Sequence, residues 1–171
     1  MGPMAMPFYI DMGYSKTEIG AIVKTVALGA SILGFFVGGQ FIKRFSLKAC
    51  LLFGGVLVLI TNLLFSLSAI SESNLTQLSI IVGMDSLAAG FVGTVNIAFL
   101  TSLVSKKFTA TQYALLTSFM MLPGKLFSGF SGYLADSLIV LTSLQVGWAL
   151  FFVITSASVS YTHLRAHETE A

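Results

Sequence analysis

Residues 105–119 read SKKFTATQYALLTSF. Two lysines and a run of Thr, Gln and Tyr interrupt a chain that is oily on both sides. As a soluble loop the stretch would be a candidate active site. As a short turn it would join two membrane-spanning helices. Its flanks decide between the two. Between Glu72 and Lys106 lie 33 residues whose only charge is Asp85, and from Phe108 to Ala135 the only charge is Lys125. A helix needs about 20 predominantly apolar residues to cross a bilayer. Both flanks are long enough, so the stretch reads as a turn.

The rest of the chain repeats the pattern. Of its 171 residues 56% are hydrophobic and 9% are charged, against about 25% charged in soluble domains. Between Glu18 and Lys43 lie 24 residues with Lys24 as the one ionisable side chain, and between Lys48 and Glu72 lie 23 with none. The interval Ser137 to Leu164 is also uncharged. These intervals predict five spanning helices, preceded at residues 1–10 by a stub that reads as the last turns of a helix begun upstream. The fold class is therefore all-α integral membrane. No basic region precedes an apolar segment in MGPMAMPFYI, so the start does not read as a signal peptide.

Loop charge sets the orientation. The turns at Lys43, Arg44 and Lys48 and at Lys106 and Lys107 are basic, whereas those around Asp11, Glu72 and Asp136 carry almost no Lys or Arg, Lys16 being the exception. Short basic loops stay in the cytoplasm, so the first complete helix runs from outside to inside. In SKKFTATQYALLTSF the lysines become inside anchors, Thr109 or Thr111 the helix cap, and Gln112 and Tyr113 the interfacial start of the next helix.

Charges at bilayer depth are costly and mark function by default. Lys24, Asp85 and Lys125 lie about 9, 12 and 16 Å below the outer ends of their helices at a rise of ~1.5 Å per residue. At these depths all three could converge on one site, with Lys24 and Asp85 as an ion pair; snorkelling of Lys24 is the bland alternative. The second and fifth spans carry no buried charge and read as lipid-facing supports. Ala30, Gly34 and Gly38 recur every four residues, a spacing that permits close helix approach; packing and gating both account for it. Pro123-Gly124 directly precedes Lys125, and proline removes a backbone hydrogen bond, so a kink and a hinge are expected there.

Other chemistries find little support. The net charge of +2 is too small to point to nucleic acid, and Cys50 is a lone cysteine that forms no disulfide framework. The two histidines, His163 and His167, stand in a polar tail, and no Cys/His metal cluster, phosphate-cradling loop or paired intramembrane carboxylates are present. No metal, cofactor or catalytic set is expected.

The segment KKFTATQYALLTSF, with GTVNIAFLTSLVS before it and PGKLFSGFSGYLAD after it, resembles the AmpG-type muropeptide permeases of the major facilitator superfamily. So does PFYIDMGYSKTEIGAIVKTVALGASILGFFVGGQFIKRFSL, and the match is collinear over roughly residues 5–158. The resemblance implies a C-terminal six-helix half over residues 1–160, from the end of helix seven to helix twelve, with its N-terminal half missing. Lys24, Asp85 and Lys125 would fall on helices eight, ten and eleven. The loop GGQFIKRFSLK is similar to a second copy of the superfamily's cytoplasmic Gly-x-x-x-Asp-Arg loop without its acidic residue. The implied function is proton-coupled import of anionic anhydro-muropeptides across the bacterial inner membrane. Asp85 is the implied proton-coupling group, since a carboxyl taken out of water favours its protonated form, and Lys24, Lys125, Asn62 and Asn96 are the implied substrate-binding residues. A permease for another anionic metabolite, or a non-transporting membrane scaffold subunit, are the alternatives. The terminal SYTHLRAHETEA departs from the family pattern, and residues 161–171 read as an artefactual tail.

Overall fold

Ser15 and Glu18 start the first long helix by capping each other. The Ser15 hydroxyl accepts from the Glu18 amide at 3.3 Å, and the Glu18 carboxylate accepts from the Ser15 amide at 2.9 Å. This reciprocal pair satisfies two orphan donors of the first turn. The structure, a computed structural model, describes residues 4–71, 74–104 and 109–168. A short α1 (Ala5–Asp11) leads through Gly13, whose φ of 87° needs glycine, into α2 (Lys16–Arg44). Helix α3 (Leu47–Ala69) is capped by Ser46, and α4 (Leu75–Leu103) by Asn74, whose Oδ1 accepts from the Thr76 amide at 2.9 Å. Helices α5 (Thr109–Leu141) and α6 (Leu144–Glu168) complete the bundle. Each long rod exceeds the ~30 Å of a hydrocarbon core at ~1.5 Å per residue. Lys16–Arg44, Leu47–Ala69 and Leu75–Leu103 are also apolar enough to cross it. The expected order of a stub and five long helices is thus observed.

Packing pairs the helices in two sets, α2 on α4 and α3 on α6, with α3 also against α4 and α5 against α6. The α2–α4 contact is made of backbone. A Cβ on Gly34 would strike the Leu87 carbonyl, and one on Gly90 would strike the Ser31 carbonyl. Gly38 sits likewise on Phe91 and Thr94. The other contact is aromatic. Phe8 meets Phe65, Trp148 and Phe152 edge-on at 5.8, 5.4 and 5.1 Å between ring centroids, the geometry that ring quadrupoles favour. Large side chains such as Leu33, Phe36, Phe119 and Phe130 are exposed, as lipid-facing residues are.

Two polar contacts gather one rim of the bundle. Trp148 Nε1 donates to Asp11 Oδ2 at 2.9 Å, joining the start of α6 to the end of α1. The Tyr14 hydroxyl donates to the Asn74 carbonyl at 3.2 Å, joining the α1–α2 turn to the start of α4. The turns predicted to be external therefore do share one side.

The structure adjusts two boundaries, both of α5. Helix α5 continues through Asp136, exposed in its last turns, to Leu141, because Leu138 and Ile139 remain packed on the core and Gly147 leaves room for Ile139, whose backbone would lie 2.7 Å from a Cβ placed there. Thr111 lies inside α5, so it is not the N-cap. The lysines Lys106 and Lys107 fall outside the described residues, as do Glu72 and the α5 cap position. The α6 backbone is helical to Glu168.

Candidate functional site

Helix α4 turns Ile81, Asp85 and Ala88 to one side, since residues three and four apart share a helix face. Ile81 and Ala88 are buried, and Ile81 belongs to the core that includes Tyr9 and Phe65. Asp85 is thereby partly buried at the junction of α1, α3 and α4. From α3 it faces the Thr61 hydroxyl, and from α1 it lies within electrostatic reach of Tyr9. Thr61 is 2% exposed and Tyr9 5%. Asn62, next along α3, is 7% exposed. A carboxyl, a hydroxyl and a phenol are thus gathered near Phe8 and Phe65, both buried. Polar groups in such a setting need one another, because apolar surroundings offer no substitute for water.

The other candidates sit apart. Lys24 is exposed on α2, and among the described residues no ion pair joins it to Asp85. It lies in a single π turn, Val23–Ala27, within the α2 rod. Such turns widen a helix by one residue and occur often at functional positions. The Thr25 hydroxyl donates to the Ala21 carbonyl at 2.7 Å, adding a side-chain donor where the wider turn disturbs the backbone register. Lys125 is exposed on α5. There the backbone stays helical through Pro123 and Gly124, and the Ser128 hydroxyl donates to the Lys125 carbonyl at 2.7 Å.

Asn96 lies eleven residues beyond Asp85, about 16 Å along α4. It lines a cleft of about 180 Å³ between α3 and α4, together with Cys50, Gly54 and Val92. Asn96 is therefore remote from Asp85, and Asn62 is buried in the middle of α3. Gly34 and Gly38 are interface residues of the α2–α4 crossing. Lys43 and Arg44 are exposed in the last turn of α2, where cations complement the helix dipole. Among the described residues no group of three or more His, Cys, Asp or Glu could hold a metal.

Sequence reasoning missed Tyr9, Thr61 and the π turn. Thr61 precedes Asn62 in a span without charges, and that polar pair was the available signal. The π turn carries none, for VKTVA contains neither proline nor glycine.

No family model matches the chain. Among curated proteins it is 32% identical over 153 residues to "Putative transporter AmpG 1" of Rickettsia prowazekii (strain Madrid E), an alignment covering 90% of this chain and 33% of that protein. It is 31% identical over 153 residues to the protein of the same name from Rickettsia bellii (strain RML369-C), covering 90% and 35%. It is 32% identical over 155 residues to "Putative transporter AmpG 4" of Rickettsia conorii (strain ATCC VR-613 / Malish 7), covering 91% and 36%. The chain thus spans about a third of the length of the curated relatives it matches. Fold and comparison together define the class: an all-α, multi-pass membrane unit. Over nine-tenths of its length this chain is similar to proteins named as putative AmpG transporters.

Proposed function

We propose that this chain is the C-terminal transmembrane half of a proton-coupled secondary transporter. It would import anionic anhydro-muropeptides across the bacterial inner membrane. The observation that carries the reading is the alignment of nine-tenths of the chain with proteins named as AmpG transporters. Asp85 adds physical support, being an acidic residue held among polar partners inside a spanning helix.

In this reading Asp85 takes up a proton from the outer side and releases it inside. Protonation removes a charge that apolar surroundings oppose, which lowers the cost of passing between outward and inward arrangements. Lys24 and Lys125, exposed on α2 and α5, attract the anionic substrate. Asn62 and Asn96 offer amides to its sugar and peptide groups. Pro123 and Gly124 in α5, and Gly34 and Gly38 at the α2–α4 crossing, are the candidate hinges. The substrate class rests on the resemblance of residues 5–158 and on this cationic pair.

The test is uptake of N-acetylglucosaminyl-anhydro-N-acetylmuramic acid by the complete transporter chain in proteoliposomes under an imposed pH gradient. Asp85→Asn is expected to abolish proton-driven accumulation while leaving exchange of labelled for unlabelled substrate in place. Normal accumulation by Asp85→Asn would remove Asp85 from the coupling role.

A further inference from the structure

The cleft of about 180 Å³ between α3 and α4 has a closed floor and an open lip. Cys50, Gly54 and Val95 form the floor and are buried, whereas Gly55, Val92 and Asn96 form the lip and are partly exposed. A Cβ on Gly54 would lie 3.0 Å from Val92 Cγ2, so the floor leaves no room for a larger residue there. Asn96 differs from other polar side chains of its helix. The Ser79, Thr94 and Thr101 hydroxyls donate to the Leu75, Gly90 and Ile97 carbonyls at 2.8, 3.1 and 2.7 Å. The Asn96 carboxamide has no hydrogen bond among the described residues. It carries two N–H donors and an acceptor oxygen, and apolar surroundings make such a group costly while it stays unpaired. Asn96 therefore presents an open donor and an open acceptor at the lip of an apolar hollow.

We propose that this cleft is a subsite for an acetamido group of the substrate, and that Asn96 selects that group. The Asn96 NH₂ donates to the acetyl carbonyl, and the methyl on the same carbon enters the hollow. The Asn96 oxygen is left to accept a hydroxyl of the same sugar. An apolar cavity of about 150 Å³ holds benzene, so about 180 Å³ accommodates the smaller acetyl end. A hydroxyl in place of the acetamido group keeps neither the carbonyl nor the methyl. A free amine brings an ammonium charge against apolar walls, which costs more still. Both sugars of the disaccharide in the uptake test carry an acetamido group. The inference rests on the muropeptide reading and adds the group by which the substrate is told from other sugars. The lip lies about 16 Å from Asp85 along α4, so selection and proton coupling are separate tasks.

The experiment measures exchange of the labelled disaccharide by the complete transporter chain in proteoliposomes. The inhibitors are unlabelled analogues whose acetamido groups are kept, replaced by hydroxyl one at a time, or extended to N-propionyl. In the parent, replacement on one of the two sugars should weaken inhibition at least about tenfold. Asn96→Leu, similar in size, should weaken the acetylated disaccharide about tenfold, the worth of one hydrogen bond, and leave that hydroxyl analogue unchanged. Val95→Ala should deepen the floor and turn the preference toward the N-propionyl analogue by about tenfold, the worth of one methylene in an apolar pocket. General damage to the fold would not produce that gain. The pH profile of uptake should keep the parent's midpoint in both variants. Equal inhibition by all analogues in the parent, or unchanged preferences in both variants, overturns the subsite and leaves the transporter reading standing. No exchange of the disaccharide by the parent overturns the muropeptide reading, and the subsite with it.

Discussion

Trp148 shows how a single side chain can serve two solvents. Its ring is 2% exposed and packs on Phe8, Phe151 and Phe152, while its indole N–H reaches Asp11 at 2.9 Å at the rim. An aromatic body with a polar tip suits such a boundary. Trp148→Ala should cost about 3 kcal/mol by opening a cavity in the aromatic core. Trp148→Phe should cost about 1 kcal/mol, mostly the lost hydrogen bond, because Asp11 is exposed and water replaces the indole. Thermal unfolding of the detergent-solubilised transporter ranks the two, and equal losses would deny the rings their dominant share. At this scale the sequence was partly legible. Asp85 stood out because nothing else near it is charged. Tyr9 and Thr61 did not, since which face of a helix meets which neighbour is set by packing that spacing alone does not encode.

At the scale of the element, the helices were legible and their irregularities were not. Runs almost free of charge between Glu18 and Lys43 and between Lys48 and Glu72 mark helices closely, because each charge near a bilayer must find water. Asp136 misled for a related reason: an acidic residue can remain in a helix that has already reached the surface. Proline at 123 drew attention to α5, yet the wider turn appears in α2 around Lys24. The glycines divide by what they touch. Gly34→Ala and Gly90→Ala place a methyl against the Leu87 and Ser31 carbonyls, and backbone cannot move aside as a side chain tip can. Each should destabilise the solubilised protein by about 1–3 kcal/mol. Gly39→Ala, with nothing within 4 Å, should be neutral in the same thermal assay. A loss at Gly39 equal to that at Gly34 would contradict the crossing.

For the whole molecule, the rim contacts Asp11–Trp148 and Tyr14–Asn74 place three turns together, and loop charge assigns that side to the exterior. Alkaline phosphatase joined after Ser71 of the complete chain should therefore be active, and the same enzyme joined after Arg44 inactive. The reverse result would invert the topology. Hydrogen bonds alone fix which turns are neighbours; the lysines and arginines of the opposite turns fix which side is which. The crossing of α2 over α4 has a mechanical corollary. Gly34 lies ten residues from Lys24 and ten from Arg44, about 15 Å either way. Backbone rests there on backbone, so no meshed side chains oppose rotation at that point. The crossing is a fulcrum with equal arms, and a tilt of α2 about it that draws Lys24 inward swings Arg44 outward by the same distance.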